Sequence, residues 1–231
     1  MHREGKFEVP QDIAPNGLKT QFDPKRVQFI GHSQGGLSGA LMAAVDPTIK
    51  AYVLSGAGAG ISLTVMLRKD PYDIAKNVAA LLDLAAGELS EFHPAIALVQ
   101  MLADVTDPLA YGHKVFQREP EVQPPHVLLT EGLLDKQTPS ATTEALAAAI
   151  GLDVLEPVVH LNDALKVRKA QVLASPVQGN LFKNGFGVTG VVSQWDGKDH
   201  FVIFTTPQAA GLYAEFLNST AATGEATAVL P

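Results

Sequence analysis

Short runs of apolar, β-favouring residues alternate with segments of helical character along this chain of 231 residues. Four such runs predict strands, at residues 26–30, 49–55, 127–130 and 188–195. Helices are predicted at residues 35–45, from Thr138-Pro139 to Gly151, and from Thr206-Pro207 onward. Strands that alternate with helices in this order predict an α/β fold, with a mostly parallel sheet covered by helices on both faces.

A long interval without a strand separates the second predicted strand from the third. Its apolar positions recur with helical spacing, which predicts a helical insertion. The proline-rich start of the chain is expected to form an arm, and its alanine-, threonine- and glycine-rich end a flexible tail. The predicted division is an arm at 1–25, a core at 26–60 and 126–218, an insertion at 61–125 and a tail at 219–231.

The composition narrows the classes of partner. There are 17 basic and 24 acidic residues, a formal charge of −7, and no cysteine, which excludes a disulfide framework and a cysteine nucleophile. The acidic balance argues against nucleic acid and anionic membranes as partners. No His, Asp and Glu spacing predicts a metal site and no phosphate-binding loop is present, so no cofactor is expected. Neither a leader nor a membrane span is predicted, which leaves the compartment open.

The run Gly31-His32-Ser33-Gln34-Gly35 fits the pattern G-x-S-x-G. It lies between a predicted strand and a predicted helix, where a nucleophile elbow must lie. Small neighbours, here Gly31 and Gly35, allow a strained turn that exposes the serine hydroxyl. Ser33 is therefore the predicted nucleophile, and the amide of Gln34, at the helix start, is the predicted oxyanion donor.

A serine nucleophile needs a base, and His200 is the best placed of seven histidines. It lies between the last strand and the last helix, where loops at the carboxyl ends of parallel strands converge. His32 lies inside the elbow and cannot fold back onto Ser33. The others are expected to be solvated or capping residues: His2, His93, His113, His126 and His160.

Asp135 is the predicted acid that orients His200. It lies just beyond the strand at 127–130, as Ser33 lies beyond its own strand. An Asp before a helix is most often a cap, but Thr138 is expected to cap the following helix and so to free Asp135. Glu131, nearer the strand, is the fallback.

These residues resemble the α/β-hydrolase family, in which nucleophile, acid and base follow in the chain order of Ser33, Asp135 and His200. The resemblance covers residues 23–218 and implies the C-terminal part of that fold, with residues 61–125 as its lid. It also implies a serine esterase or lipase, in which Ser33 forms an acyl-enzyme on a small apolar carboxylic ester.

The sequence departs from the family before Ser33. Members have several strands there, and a loop after the third donates a second amide to the oxyanion, often from a His-Gly motif. The 32 residues before Ser33 contain no His-Gly. The strand from Val27 to Ile30 would then be an exposed apolar edge, which proteins rarely leave uncovered. We expect the arm, a second copy or a separate N-terminal half to cover it, with a homodimer as the preferred form.

Two other functions remain open. A hydrolase-like chain that lacks the second donor could be a binding or regulatory module with little turnover, because one such donor contributes about 10²- to 10³-fold in kcat. The same three residues could also pass the acyl group to an alcohol or amine, as an acyltransferase does.

Overall fold

A computed structural model describes residues 23–85 and 87–231. The predicted arm therefore lies almost wholly outside the described residues. The strands are β1 (Gln28–His32), β2 (Ala51–Ser55), β3 (His126–Gly132), β4 (Asp153–Leu155), β5 (Val172–Leu173), β6 (Val177–Gln178), β7 (Leu181–Lys183), β8 (Phe186–Val188), β9 (Gly190–Trp195) and β10 (Thr227–Ala228). The helices are α1 (Gln34–Val45), α2 (Ile61–Leu67), α3 (Ile74–Leu81), α4 (Pro94–Ala103), α5 (Pro108–Tyr111), α6 (Ser140–Ile150), α7 (Asp163–Val167), α8 (Val202–Thr205) and α9 (Pro207–Thr223).

A six-stranded parallel sheet forms the centre of the molecule, in the order β1-β2-β3-β9-β4-β5. Every residue of β2 and β3 is buried, because helices cover both faces of these strands. Tyr52 and Leu54 pack in the cluster that includes residues of α1 and α6, whereas Val53 packs in the cluster that includes Phe216 of α9. Burial on both faces explains why these strands read as continuous apolar runs.

The predicted α/β fold class is confirmed, but the sheet has two strands that the sequence did not reveal. Residues 153–187 give no clear pattern, and in the structure they contribute β4 and β5 to the sheet beyond β9. Each has only two or three residues, which is too short for an alternation to be recognised.

The end of the chain differs from its prediction. Helix α9 continues to Thr223, and Gly224 then ends it with a positive φ of 85°. Strand β10 pairs antiparallel with β6. Ala226 and Ala228 are fully buried against the sheet, so the predicted flexible tail is wrong.

The insertion between β2 and β3 contains α2 to α5. Its helices are less buried than amphipathic core helices: α3 buries none of its residues and α4 buries Ile96 alone. No helix within the described ranges is both long and apolar enough to cross a membrane. The assignment of residues 61–125 as a lid stays a prediction.

Strand β1 is the first strand of the sheet, and over residues 23–85 and 87–231 it pairs only with β2. Ile30 of β1 is 47% exposed. The expected exposed edge is therefore present within this part of the chain. The partner predicted to cover it stays a prediction.

Candidate active site

Ser33 lies in the sharp turn between β1 and α1. Its backbone has φ 56° and ψ −124°, a conformation that a residue with a side chain rarely adopts. The Ser33 N–H donates to the carbonyl of Ser55 at 2.8 Å, which joins the turn to the end of β2. A side chain at Gly31 would collide with the carbonyl of Gly35 and with Phe29. The turn thus has the strained geometry expected of a nucleophile elbow.

The two glycines predicted to make room for this turn differ: Gly31 is required for want of room, whereas Gly35 is not. A side chain at Gly35 would meet open space, so Gly35 is not required for want of room. Gly36, in contrast, lies against Ala57 and the carbonyl of Ser55, and Gly39 lies against Phe29. These two glycines let α1 approach the sheet closely.

His200 and Asp135 form a buried pair. The Nδ1 atom of His200 lies 2.7 Å from Oδ2 of Asp135, and the two side chains are 4% and 3% exposed. Asp135 follows β3 and His200 lies between β9 and α8, so neighbouring parallel strands bring them to one edge of the sheet. With Nδ1 turned toward the carboxylate, Nε2 is the nitrogen left for a reacting group.

Backbone contacts fix the loop that carries Asp135 to the loop that carries His200. The N–H of Leu134 donates to the carbonyl of Lys198 at 2.8 Å, and that of Leu133 donates to Trp195 at 3.2 Å. A side chain at Gly132 would collide with the carbonyl of Asp199. The predicted acid and the predicted base therefore belong to one packed unit.

Asp135 also caps the turn before α6, which the sequence analysis assigned to Thr138. Its Oδ1 accepts from the N–H of Gln137 and of Thr138, each at 2.8 Å. Helix α6 begins at Ser140 after Pro139, without a side-chain cap. The expectation that Thr138 caps the helix is wrong: one carboxylate serves both purposes, with one oxygen on the backbone and the other on His200.

The end of β2, at Ser55 and Gly56, lies beside both the Ser33 turn and His200. A side chain at Gly56, which has φ 51°, would lie 2.9 Å from Cε1 and Nδ1 of His200. The preceding residue, Ser55, accepts the Ser33 N–H. Among the described residues, the Ser33 hydroxyl makes no hydrogen bond with His200. Such bonds often form only once substrate is bound.

His32 is the residue that the sequence analysis passed over. Its ring lies 4.6 Å from the ring of His200, centroid to centroid. It also contacts Phe201 and meets Phe204 edge to face at 4.9 Å. Burial, and then the nearby His200, lower the pKa of His32, which favours the neutral form of its ring beside His200. Its Nε2 atom is buried and has no hydrogen-bond partner among residues 23–85 and 87–231.

The fallback acid, Glu131, belongs to a different cluster. The amide nitrogen of Gln194 lies 3.2 Å from Glu131 and 3.4 Å from Glu144, and it bridges the two carboxyl groups. Burial and then Glu144 raise the pKa of Glu131 to about 8. Glu144 in turn lies 2.6 Å from Nδ1 of His160. The contacts of Glu131 thus leave Asp135 as the carboxylate bonded to His200.

Of the remaining histidines, His2 lies outside the described residues, and the others divide between surface and core. His93 caps α4 by accepting the N–H of Ala95, as expected. His126 is buried and bonds to Thr189 and Gly224, so its predicted solvated or capping role is wrong. Within the described part of the chain, no three His, Asp or Glu side chains are grouped so as to hold a metal ion.

Gln34 begins α1, so its N–H has no acceptor within the helix. Its residue is exposed, directly after Ser33. An N–H at a helix start that faces solvent next to a serine can bind a developing negative charge. The prediction of Gln34 as oxyanion donor is therefore compatible with its place in the fold, and it stays a prediction.

Comparison with known proteins places this architecture. No family model and no curated protein matches the sequence. Among solved structures, acetyl xylan esterase 1 from Thermoanaerobacterium is 14% identical with a TM-score of 0.50, and the match covers 88% of this chain and 48% of that one. An acylaminoacyl peptidase from Pyrococcus horikoshii is 13% identical with a TM-score of 0.48, covering 91% of this chain and 25% of that one.

A putative dienelactone hydrolase from Klebsiella pneumoniae is 14% identical with a TM-score of 0.41, covering 90% of this chain and 55% of that one. This chain thus spans about a quarter to about half the length of these proteins. All three have the α/β-hydrolase fold. The esterase match shows the fold and nothing finer, and with it the resemblance seen in the sequence is confirmed: the described residues form part of an α/β-hydrolase fold.

Proposed function

We propose that this protein is a serine hydrolase that cleaves carboxylic esters through an acyl-enzyme on Ser33. In this mechanism His200 takes the proton of the Ser33 hydroxyl as the oxygen attacks the ester carbonyl. Asp135 holds the imidazole in the tautomer that presents Nε2, and it stabilises the imidazolium that forms. The N–H of Gln34 binds the oxyanion. Water then attacks the acyl-enzyme with His200 again as base.

The observation that carries this proposal is the buried His200–Asp135 pair next to a strained serine. Removing an ionisable pair from water costs free energy that its mutual attraction only partly returns, so a buried pair is weak evidence for stability. A serine at φ 56° adds backbone strain. The buried pair and the strained serine thus both carry a cost in free energy at one place, where the loops after β1, β2, β3 and β9 meet. Such a concentration is typical of a catalytic site.

Labelling with a fluorophosphonate tests the nucleophile directly. We expect the folded protein to be modified on Ser33 and to hydrolyse p-nitrophenyl esters, and Ser33→Ala to lose both properties. Ser90→Ala, which removes a hydroxyl in the insertion, is the matched control and should retain both. Labelling at another serine, or ester cleavage that survives Ser33→Ala, would overturn the proposal.

A binding module with little turnover is the second candidate. It is favoured by the absence, among the described residues, of a hydrogen bond between Ser33 and His200, and by a single assigned oxyanion donor. A donor that is missing costs about 10²- to 10³-fold in kcat. Slow labelling of Ser33 without measurable release of p-nitrophenol would support this candidate. Transfer of the acyl group to added alcohol in preference to water would instead indicate an acyltransferase.

A further inference from the structure

A cleft of about 320 Å³ opens beside Gln34, and we call it the α1 cleft. One wall is the face of α1 that carries Leu37, Ser38 and Leu41 after Gln34. The spacing of these residues, three and four apart, places them in one row along the helix. The other wall consists of residues 58–61 and 106–108, with Thr64. The cleft therefore begins at the residue after the proposed nucleophile and lies between the core and the insertion.

Asp107 is the one ionisable residue among those that line the α1 cleft, and its carboxylate is fully used by the protein. Its Oδ1 accepts the N–H groups of Gly60 and Leu109, each at 2.9 Å. Its Oδ2 accepts the N–H of Ile61 at 2.7 Å and the amide of Gln100 at 2.9 Å. These bonds connect the exit of β2 to the start of α5, so Asp107 builds the wall of the cleft and leaves no oxygen free for a ligand.

The electrostatics agree with that geometry. Burial would raise the pKa of Asp107, but the hydrogen bonds from Gln100, Gly60, Leu109 and Ile61 together hold it below its ordinary value. The two threonines of the lining also use their hydroxyls internally, Thr64 on the carbonyl of Gly60 and Thr106 on that of Ala103. The apolar side chains of Leu37, Leu41, Ile61 and Pro108 make up most of what remains.

The dimensions limit the occupant. Leu41 is seven residues from Gln34, which is about 10 Å along an α-helix. A volume of about 320 Å³ lies at the lower end of the range of roughly 300–1,000 Å³ that small-molecule sites occupy. A short aliphatic group fits this space, whereas a long fatty acyl chain exceeds it.

We infer that the α1 cleft binds the acyl group of the ester and selects short, uncharged acyl groups, from acetyl to about hexanoyl. This inference rests on the proposed function, because it takes the Gln34 amide as the place of the carbonyl oxygen. The hydrogen bonds of the Asp107 carboxylate leave it no free oxygen for a cation, and its charge would repel an anion. A charged acyl group therefore finds no counter-ion in the cleft. An acyl chain that passes Leu41 leaves the cleft and gains nothing from it.

A series of p-nitrophenyl esters from acetate to decanoate, with the hemisuccinate as the charged member, tests the inference. Ser38 is exposed and lies one helical turn from Gln34, so Ser38→Phe should fill the cleft without harm to the fold. We expect it to lower kcat/KM for hexanoate about tenfold or more while acetate changes by less than about threefold. Leu41→Ala should extend the cleft and shift the preferred chain length upward.

Val45→Phe is the matched control, because Val45 is an exposed residue of the same helix that does not line the cleft. It should leave the chain-length profile unchanged. If Ser38→Phe and Leu41→Ala leave that profile unchanged in an active enzyme, or if hemisuccinate is cleaved as well as butanoate, the inference about the cleft is overturned and the ester hydrolase stands. If the unmodified protein cleaves none of the esters and Ser33 is not labelled, the proposed function falls and the cleft's role with it.

Discussion

The two halves of the candidate site differ in how completely this chain builds them. On the acid–base side, Asp135 and His200 are buried and bonded at 2.7 Å, and backbone bonds between residues 133–134 and 195–198 hold their loops together. On the oxyanion side, Gln34 is exposed and Ile30 of the neighbouring β1 edge is 47% exposed. Residues 126–201 thus build the proposed proton-transfer pair, whereas Gln34 is the single oxyanion donor that we propose among the described residues. Substitutions on the acid–base side should therefore impair proton transfer directly. Oxyanion binding should depend on what covers the β1 edge.

The largest effect should come from Asp135→Asn. The asparagine oxygen can still accept the N–H groups of Gln137 and Thr138, so the turn before α6 should keep its shape. The asparagine NH2 group then faces Nδ1 of His200, where it donates and can neither accept the Nδ1 proton nor stabilise an imidazolium, so kcat should fall about 10³- to 10⁴-fold.

Asp73→Asn is the matched control, because Asp73 caps α3 at the surface in the same way. It should leave kcat unchanged. A fall of less than about tenfold in Asp135→Asn, measured on folded protein, would show that the buried pair is structural and not part of catalysis.

The oxyanion side should respond to the β1 edge. We propose that a second copy pairs along the strand from Val27 to Ile30, as the sequence analysis expected, and that this pairing also completes the oxyanion site. Ile30→Lys places a charge on that edge and should block the pairing. We expect a monomer in sedimentation and a loss of about 10²- to 10³-fold in kcat, the contribution of one oxyanion donor.

Val45→Lys changes an exposed apolar residue of α1, outside the edge strand itself, and should preserve both association and activity. A protein that sediments as a monomer at all concentrations and is fully active would eliminate the second copy. The donor would then have to come from this chain itself.

A smaller effect should come from His32, which packs against the base. His32→Ala removes a ring that lies 4.6 Å from that of His200, and such ring contacts contribute about 1 kcal/mol. We expect kcat to fall about five- to tenfold with KM unchanged, because the ring positions His200 and not the substrate. His32→Phe retains a ring and should recover most of the rate. Equal loss in both variants would contradict a packing role and indicate that the imidazole nitrogens matter.

The residues that the sequence could and could not reveal differ in the range of the interactions that define them. Ser33 lies in a local pattern of five residues, and β2 and β3 are apolar runs, so all three can be predicted from the sequence. The role of His32 depends on its contact with the ring of His200, which lies on a loop distant in the sequence. The cap on α6 was assigned to Thr138 because proximity favours it, yet α6 has no side-chain cap and Asp135 instead accepts the N–H groups of the turn before it. Ala226 and Ala228 are too small to signal their burial.

The smallest effect on activity should come from Glu131, which lies behind the acid without touching His200. The pKa of Glu131 stands at about 8, above the ordinary value of 4.5, so the folded state holds a proton that the unfolded chain releases. The contribution of Glu131 to the free energy of unfolding is then full below about pH 4.5 and is lost as pH rises toward 8. Around Glu131 lie the carboxyl groups of Glu144 and Asp135 and the amide of Gln194, with His160 bonded to Glu144.

Glu131→Gln keeps the shape and removes the proton, so it should stabilise the protein at alkaline pH by at most about 5 kcal/mol and have little effect near pH 5. Urea unfolding at the two pH values measures the difference, and Glu119→Gln, at an exposed glutamate, should show none. Because the acid–base side holds Asp135 through backbone bonds that Glu131 does not share, kcat should change less than about threefold. A gain in stability that does not depend on pH would mean that Glu131 is ionised in the folded protein. A large loss of kcat would mean that the acid–base side extends to the Glu131–Glu144 cluster.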